Sequence, residues 1–98
     1  MSIAIDLRGE KALVTGAGAG IGREIAIWLS EAGASVAVND LIPERAESVA
    51  KEITHNGGEA YAVPADCRDD TAVNELVKRS VVVMGGLSIA VNNVGMLP

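Results

Sequence analysis

Short apolar runs alternate along the chain with stretches in which apolar residues recur every three or four positions, and glycine-rich breaks separate the two patterns. Ala12-Leu13-Val14 is one such run, closed by Gly16-Ala17-Gly18-Ala19-Gly20-Ile21-Gly22, so a buried strand ending in a tight loop is expected. Ile21, Ile25, Trp28, Leu29 and Ala32 then recur at helical spacing as one apolar face, and Gly33 supplies the stop just past the helix end. Ser35-Val36-Ala37-Val38 reads as a second strand that runs into Asn39-Asp40. Pro43 and Glu44 open a second helix with the stripe Ala46, Val49, Ala50 and Ile53, closed by His55-Asn56-Gly57-Gly58. A third strand spans Ala60 to Val63. Asp69 or Asp70 can cap a third helix that turns Val73, Leu76, Val77, Val81 and Met84 inward and stops at Gly85-Gly86. Leu87 to Val91 forms the fourth strand and leads into Asn92-Asn93-Val94-Gly95.

The resulting order, β-α-β-α-β-α-β, has no internal repeat or linker and implies a parallel α/β sheet with helical crossovers. Strands apolar on both faces fit a sheet covered on both sides. At 98 residues the chain holds one domain at most, and 49% hydrophobic residues are enough for a modest core. Eight Lys and Arg against 13 Asp and Glu give a net charge of −5 with no basic cluster, which argues against a nucleic acid or an anionic membrane as partner. No uncharged apolar run approaches the ~20 residues of a membrane span. A single cysteine, Cys67, and a single histidine, His55, leave neither an internal disulfide nor a metal set, and a reducing cytoplasm is expected.

An acidic chain that binds an anion needs local help, and the glycine loop offers it. A strand-to-helix turn without side chains lets backbone N–H groups approach a diphosphate, and the helix beyond points its positive end at the charge. Glycines at 16, 20 and 22 give Gly-x-x-x-Gly-x-Gly; the commoner GxGxxG pattern would require glycine where Ile21 stands, and no Gly-Lys-Ser/Thr of an ATPase loop follows. Glycines at such a turn can also serve only a positive φ. Asp40 follows Gly22 at the end of the second strand, where a carboxylate can accept hydrogen bonds from an adenosine ribose. Its charge would repel a 2′-phosphate, and neither Leu41 nor Ile42 is basic, so NAD is preferred over NADP. The alternative role for Asp40 is a loop carboxylate or cap ahead of Pro43. Arg23 can either approach the phosphates or lie exposed, and Trp28 reads as core.

Thr15-Gly16-Ala17-Gly18-Ala19-Gly20-Ile21-Gly22, Asp40, Asp66 and Asn92-Asn93-Val94-Gly95, in this order, resemble the amino-terminal half of a short-chain dehydrogenase/reductase. Among its branches the chain looks most like the 3-oxoacyl-carrier-protein reductases and related NAD-dependent alcohol dehydrogenases. The resemblance implies a Rossmann-type sheet of strand order 3-2-1-4, truncated after the fourth strand, with residues 1–98 as an incomplete dinucleotide-binding half-domain. It implies that the backbone around Gly16, Ala19, Gly20, Ile21 and Gly22 holds the pyrophosphate and Asp40 the ribose hydroxyls. Asp66 would take the adenine amino group beside the Cys67 backbone, and Asn92, Val94 and Gly95 would lie under the nicotinamide-side ribose. Asp66 could equally cap the helix that follows. Val94 stands where the family usually has alanine, and Ser88 replaces a common aspartate.

Members of that family act through a serine, a tyrosine and a lysine in Tyr-x-x-x-Lys spacing. Here Tyr61 is followed four residues later by Ala65, and no catalytic set is present. The expectation is therefore the NAD-binding part of an oxidoreductase of small alcohols, ketones or acyl substrates, inactive alone and homo-oligomeric when complete. A non-catalytic nucleotide-binding or interaction module is the alternative. A methyltransferase fits less well, because Thr15 occupies the place of its usual acid.

Overall fold

The structure, a computed structural model, describes residues 5–93. The elements run β1 (Lys11–Val14), α1 (Gly20–Glu31), β2 (Ser35–Val38), α2 (Pro43–His55), β3 (Glu59–Ala62), α3 (Asp70–Met84) and β4 (Ile89–Val91). The four strands form one parallel sheet ordered β3-β2-β1-β4. Val14 pairs with Val38 and with Val91, so the carboxyl ends of β1, β2 and β4 finish level. β3 begins one residue earlier than its apolar run, at Glu59, and β4 begins two residues later than its own, at Ile89. At the entry to β4 the Ser88 hydroxyl accepts the Lys11 N–H at 2.8 Å while the Ser88 N–H donates to the Lys11 carbonyl at the same distance.

Alternating side chains of these strands feed two cores. Ala12, Val14, Val36 and Val38 pack under α1 and α2 with Ala26, Leu29, Val49 and Ile53. Leu13, Ala37 and Val63 pack on the other face under Leu76 and Met84 of α3. Asp69 caps α3 by accepting from the Thr71 N–H at 2.9 Å, and Gly85 closes it in the left-handed conformation at φ 78°.

The expected apolar face of α1 is corrected by the structure. Ile21 is 73% exposed and Trp28 50% exposed. The row that meets the sheet is Gly22, Ala26 and Leu29, because small residues at the first two positions let the helix backbone lie close to β1 and β2. Ile21 and Trp28 lie beside that row and, with Ile25 and Val91, line an open groove of about 930 Å³. In α3, Leu76, Ser80 and Met84 are the buried row, and Val77 and Val81, expected inward, lie at the margin and remain exposed. A second apolar cavity of about 260 Å³ separates α3 from β1 and β4. Both openings flank β4, which pairs with β1 alone. No helix among the described residues is long and apolar enough to cross a membrane.

Candidate functional site

The loop from Thr15 to Ala19 leaves β1 and turns into α1, whose first internal bond runs from the Arg23 N–H to the Ala19 carbonyl at 3.3 Å. The amides of Gly20, Ile21 and Gly22 precede that bond, no side chain caps them, and the first turn carries no acid. Gly16 and Gly20 require their residue type, at φ 60° and 59°. Gly22 requires it for space. A Cβ there would lie 2.5 Å from Asn93 Nδ2 and 2.9 Å from the Gly16 carbonyl carbon. The helix therefore presses its first turn onto the loop, leaving three backbone N–H groups pointing outward at its positive end.

The turn after β4 is tied to this loop. The Thr15 hydroxyl donates to Asn92 Oδ1 at 3.1 Å and accepts from the Asn93 N–H at 2.9 Å, while Asn93 Nδ2 donates to the Gly16 carbonyl at 3.3 Å. Asp40 braces the loop from the other side. Its Oδ1 accepts from the Gly18 N–H at 3.1 Å and its Oδ2 from the Ile42 N–H at 3.0 Å. Asp40 thus takes part of the local role open to it, an Asx turn ahead of Pro43, while α2 itself starts from Ile42 without a side-chain cap. Each carboxylate oxygen keeps a second acceptor position.

A crevice of about 390 Å³ brings Gly16, Ala19, Asp40, Asp66, Cys67 and Asn93 together. Of the start of α1 only the N-cap residue Ala19 lines this crevice; Gly20 and Ile21 line the open groove beside Trp28, and Asn92 opens into the cavity beneath α3. Val94 and Gly95 lie outside the described residues. Asp66 does not cap α3, since Asp69 does. Its carboxylate receives the Arg68 guanidinium at 2.9 Å on each oxygen and the Arg68 N–H at 3.0 Å. These hydrogen bonds, the side-chain ones first, hold its pKa well below the ordinary carboxylate value, at about 2, while the pair lifts that of Arg68. Burial pushes the Cys67 thiol up, and the charges of Asp66 and Asp40 add to the shift, so it is protonated at neutral pH.

Arg23 does not reach toward the loop. It pairs with Glu52 across α1 and α2 and with Glu24 at 2.9 Å. Arg68, Arg45 and Asn39, which also line the crevice, escaped the sequence reading. Arg45, in the first turn of α2, lines the crevice, and its stem lies so near Gly18 that a Cβ on the glycine would come within 2.6 Å of Arg45 Cβ. Asn39 is 1% exposed and sits directly behind the loop. Thr15 and Asn93 were visible only as members of their motifs. Among the described residues no three His, Cys, Asp or Glu side chains converge as a metal set.

The sequence matches the short chain dehydrogenase family over residues 10–98. It is 43% identical over 89 residues to the 7alpha-hydroxysteroid dehydrogenase of Escherichia coli, covering 91% of this chain and 35% of that protein. It is 44% identical over 87 residues to a 3-oxoacyl-acyl-carrier-protein reductase of Staphylococcus aureus, covering 88% of this chain and 35% of that one. A solved 7alpha-hydroxysteroid dehydrogenase in complex with NADH and 7-oxo-glycochenodeoxycholic acid superimposes with a TM-score of 0.92 at 41% identity, over 95% of this chain and 36% of its own. The chain thus spans little more than a third of the length of these relatives. The match covers the glycine loop, Asp40, Asp66 and the Asn-Asn turn in their order along the sheet, and the chain belongs to the short-chain dehydrogenase/reductase family.

Proposed function

We propose that the crevice binds NAD and that the chain is the cofactor-binding part of an oxidoreductase acting on an alcohol or ketone. The observation that carries this is the uncapped start of α1, whose N-cap residue Ala19 lines a crevice that also holds the carboxylates of Asp40 and Asp66. The amides of Gly20, Ile21 and Gly22 would receive the diphosphate, with Gly16 and Ala19 forming the floor. The second acceptor positions of Asp40 would take the ribose hydroxyls, and Asp66 the adenine amino group with the Cys67 backbone beside it. Asn92, with Val94 and Gly95, would support the nicotinamide-side ribose.

Bound NAD supplies the hydride acceptor. The serine and the Tyr-x-x-x-Lys pair of the family have no counterpart in this sequence, so these 98 residues alone are expected to be inactive. The open groove beside Ile21 and Trp28 and the cavity beneath α3 support placing the carboxyl-terminal part of the fold against both sides of β4, and homo-oligomerisation of the complete enzyme. The lone thiol supports a reducing, cytoplasmic compartment.

NAD is favoured over NADP because Asp40 would face a 2′-phosphate with its own charge and neither Leu41 nor Ile42 offsets it; Arg45 is the one cation near that position without an ion pair among the described residues. Calorimetric titration with both dinucleotides tests this. The parent should bind NAD more tightly, and Asp40→Ala should narrow the gap by roughly tenfold, the effect of about 1.4 kcal/mol at one charged contact. Equal affinities in the parent would overturn the preference.

A further inference from the structure

Asn39 lies at the end of β2, directly before Asp40, and its side chain is almost fully enclosed. All of its hydrogen-bonding capacity is used. Nδ2 donates to the Val63 carbonyl at 3.0 Å and to the Ala65 carbonyl at 3.4 Å. Oδ1 accepts from the Gly16 N–H at 3.4 Å and from the Cys67 thiol at 3.3 Å. Its main chain adds two more ties, accepting from the Ala17 N–H at 2.7 Å and donating to the Val14 carbonyl at 3.0 Å.

This set of partners admits only a primary amide. A carboxylate would turn an oxygen toward two carbonyl oxygens, and an apolar isostere would strand buried donors and acceptors on both sides. The partners also fall into two groups. Gly16 and Ala17 belong to the glycine loop, whereas Ala65 and Cys67 belong to the wall that carries Asp66, and β2 is the only strand lying between their strands. Among the described residues the loop and the wall make no hydrogen bond to each other; the Asn39 side chain joins them, and its neighbour Asp40 joins them a second time, accepting from the Gly18 N–H through Oδ1 and from the Ala65 N–H through its main-chain carbonyl at 3.2 Å.

We infer that Asn39 is a positioning residue that sets the span between the diphosphate loop and the adenine wall, so that a single ligand can satisfy both. This rests on the reading of the crevice as a dinucleotide site. A residue with that task affects ligands that bridge the two parts more than ligands that use one, since a displacement of about 1 Å costs most where two anchoring points must be met together.

The test compares the parent chain with Asn39→Ala, following amide chemical shifts during titration with inorganic pyrophosphate, adenosine and ADP, which fill the loop, the wall and both. The expected result is a loss of about tenfold or more in ADP affinity, with pyrophosphate and adenosine each changed by less than about threefold. An ADP affinity equal to the parent's, or a loss spread equally over all three ligands in a chain that still melts cooperatively, would overturn the inference. Should Asn39→Ala not fold, Asn39→Ser takes its place. It brings no charge into the enclosed position and is too short to reach both the loop and the wall, and the same selective loss of ADP is expected. A parent chain that binds neither pyrophosphate nor ADP would overturn the dinucleotide reading and this inference with it. A parent that binds both, with variants that bind ADP equally well, would overturn the inference alone.

Discussion

Substituting Gly22 by alanine sets two effects of opposite sign against each other, and the structure decides which prevails. Alanine inside a helix is favoured over glycine by about 1 kcal/mol, and Gly22 has no positive φ that would penalise it. On propensity alone the substitution should stabilise α1. The new methyl would however stand 2.9 Å from the Gly16 carbonyl carbon, closer still to its oxygen, and 2.5 Å from Asn93 Nδ2, where roughly 3.5–4.0 Å is an ordinary carbon contact. The loop would have to retreat by about 1 Å. Overpacking of that order costs roughly 1–3 kcal/mol. The retreat also breaks the bond from Asn93 Nδ2 to the Gly16 carbonyl, worth about another 1 kcal/mol. The net expectation for Gly22→Ala is a loss of roughly 1–3 kcal/mol, or a melting temperature lower by roughly 5–20 °C for a domain of this size. Circular dichroism melts of parent and variant check it. A variant that melts at or above the parent temperature would mean that the loop is not pressed onto the helix as described.

Three further outcomes follow from the same geometry. In Arg68→Ala the Asp66 carboxyl should return from about 2 toward the ordinary carboxylate value of 3.8, measurable by NMR titration. Because the folded value is the lower one, the pair stabilises the fold above about pH 4, and that contribution disappears as the pH falls toward 2, so acid unfolding of the variant should lack this component. The Cys67 thiol, whose pKa is raised chiefly by burial, should react more slowly with a disulfide reagent at pH 8 in the folded chain than in urea; equal rates would contradict the burial. Its folded pKa lies above the unfolded one, so the stability it contributes is complete at neutral pH and is lost as the pH climbs past 9. Trp28→Gln should cost about 1 kcal/mol or less in chemical denaturation, against the roughly 3–5 kcal/mol expected of a core tryptophan.

The elements were legible because each one announces itself locally. Apolar runs mark β1 and β2, Pro43 opens α2, Asp69 and Gly85 bracket α3, and all four strands lie where such runs stand, within two residues at their starts. The order of the strands came from the family resemblance, since periodicity says that a crossover exists but not which strand lies beside which. The misplaced face of α1 has a physical cause. Helical periodicity finds the bulky residues, of which Leu29 is buried and Ile25 packs at the core's edge while Ile21 and Trp28 lie exposed. Closeness to the sheet also selects the smallest, Gly22 and Ala26, which carry little weight in any hydrophobic pattern. Asn39 was illegible for a different reason. A polar residue after a strand reads as the start of a loop, and nothing local reveals that two carbonyls, an amide and a thiol from two distant segments will enclose it.

How a chain with a net charge of −5 could hold a dianionic diphosphate is settled by distance rather than by totals. At physiological ionic strength charges beyond about 8 Å are largely screened, so what matters is the first shell of the crevice. There the three helices differ. The first turn of α2 contains Glu44 and that of α3 contains Asp70 behind the Asp69 cap, whereas α1 starts with neither an acid nor a capping side chain. The neighbouring acids are also engaged by donors of their own: Asp40 by the Gly18 and Ile42 amides, Asp66 by Arg68, and Glu52 and Glu24 by Arg23. Among the described residues the helix start without an acid or a capping side chain is that of α1, whose N-cap residue Ala19 lines the crevice. At the proposed site anion affinity would therefore depend on backbone geometry, and the residues that shape the loop, Gly22 from below and Asn39 from behind, would contribute more to it than any cation.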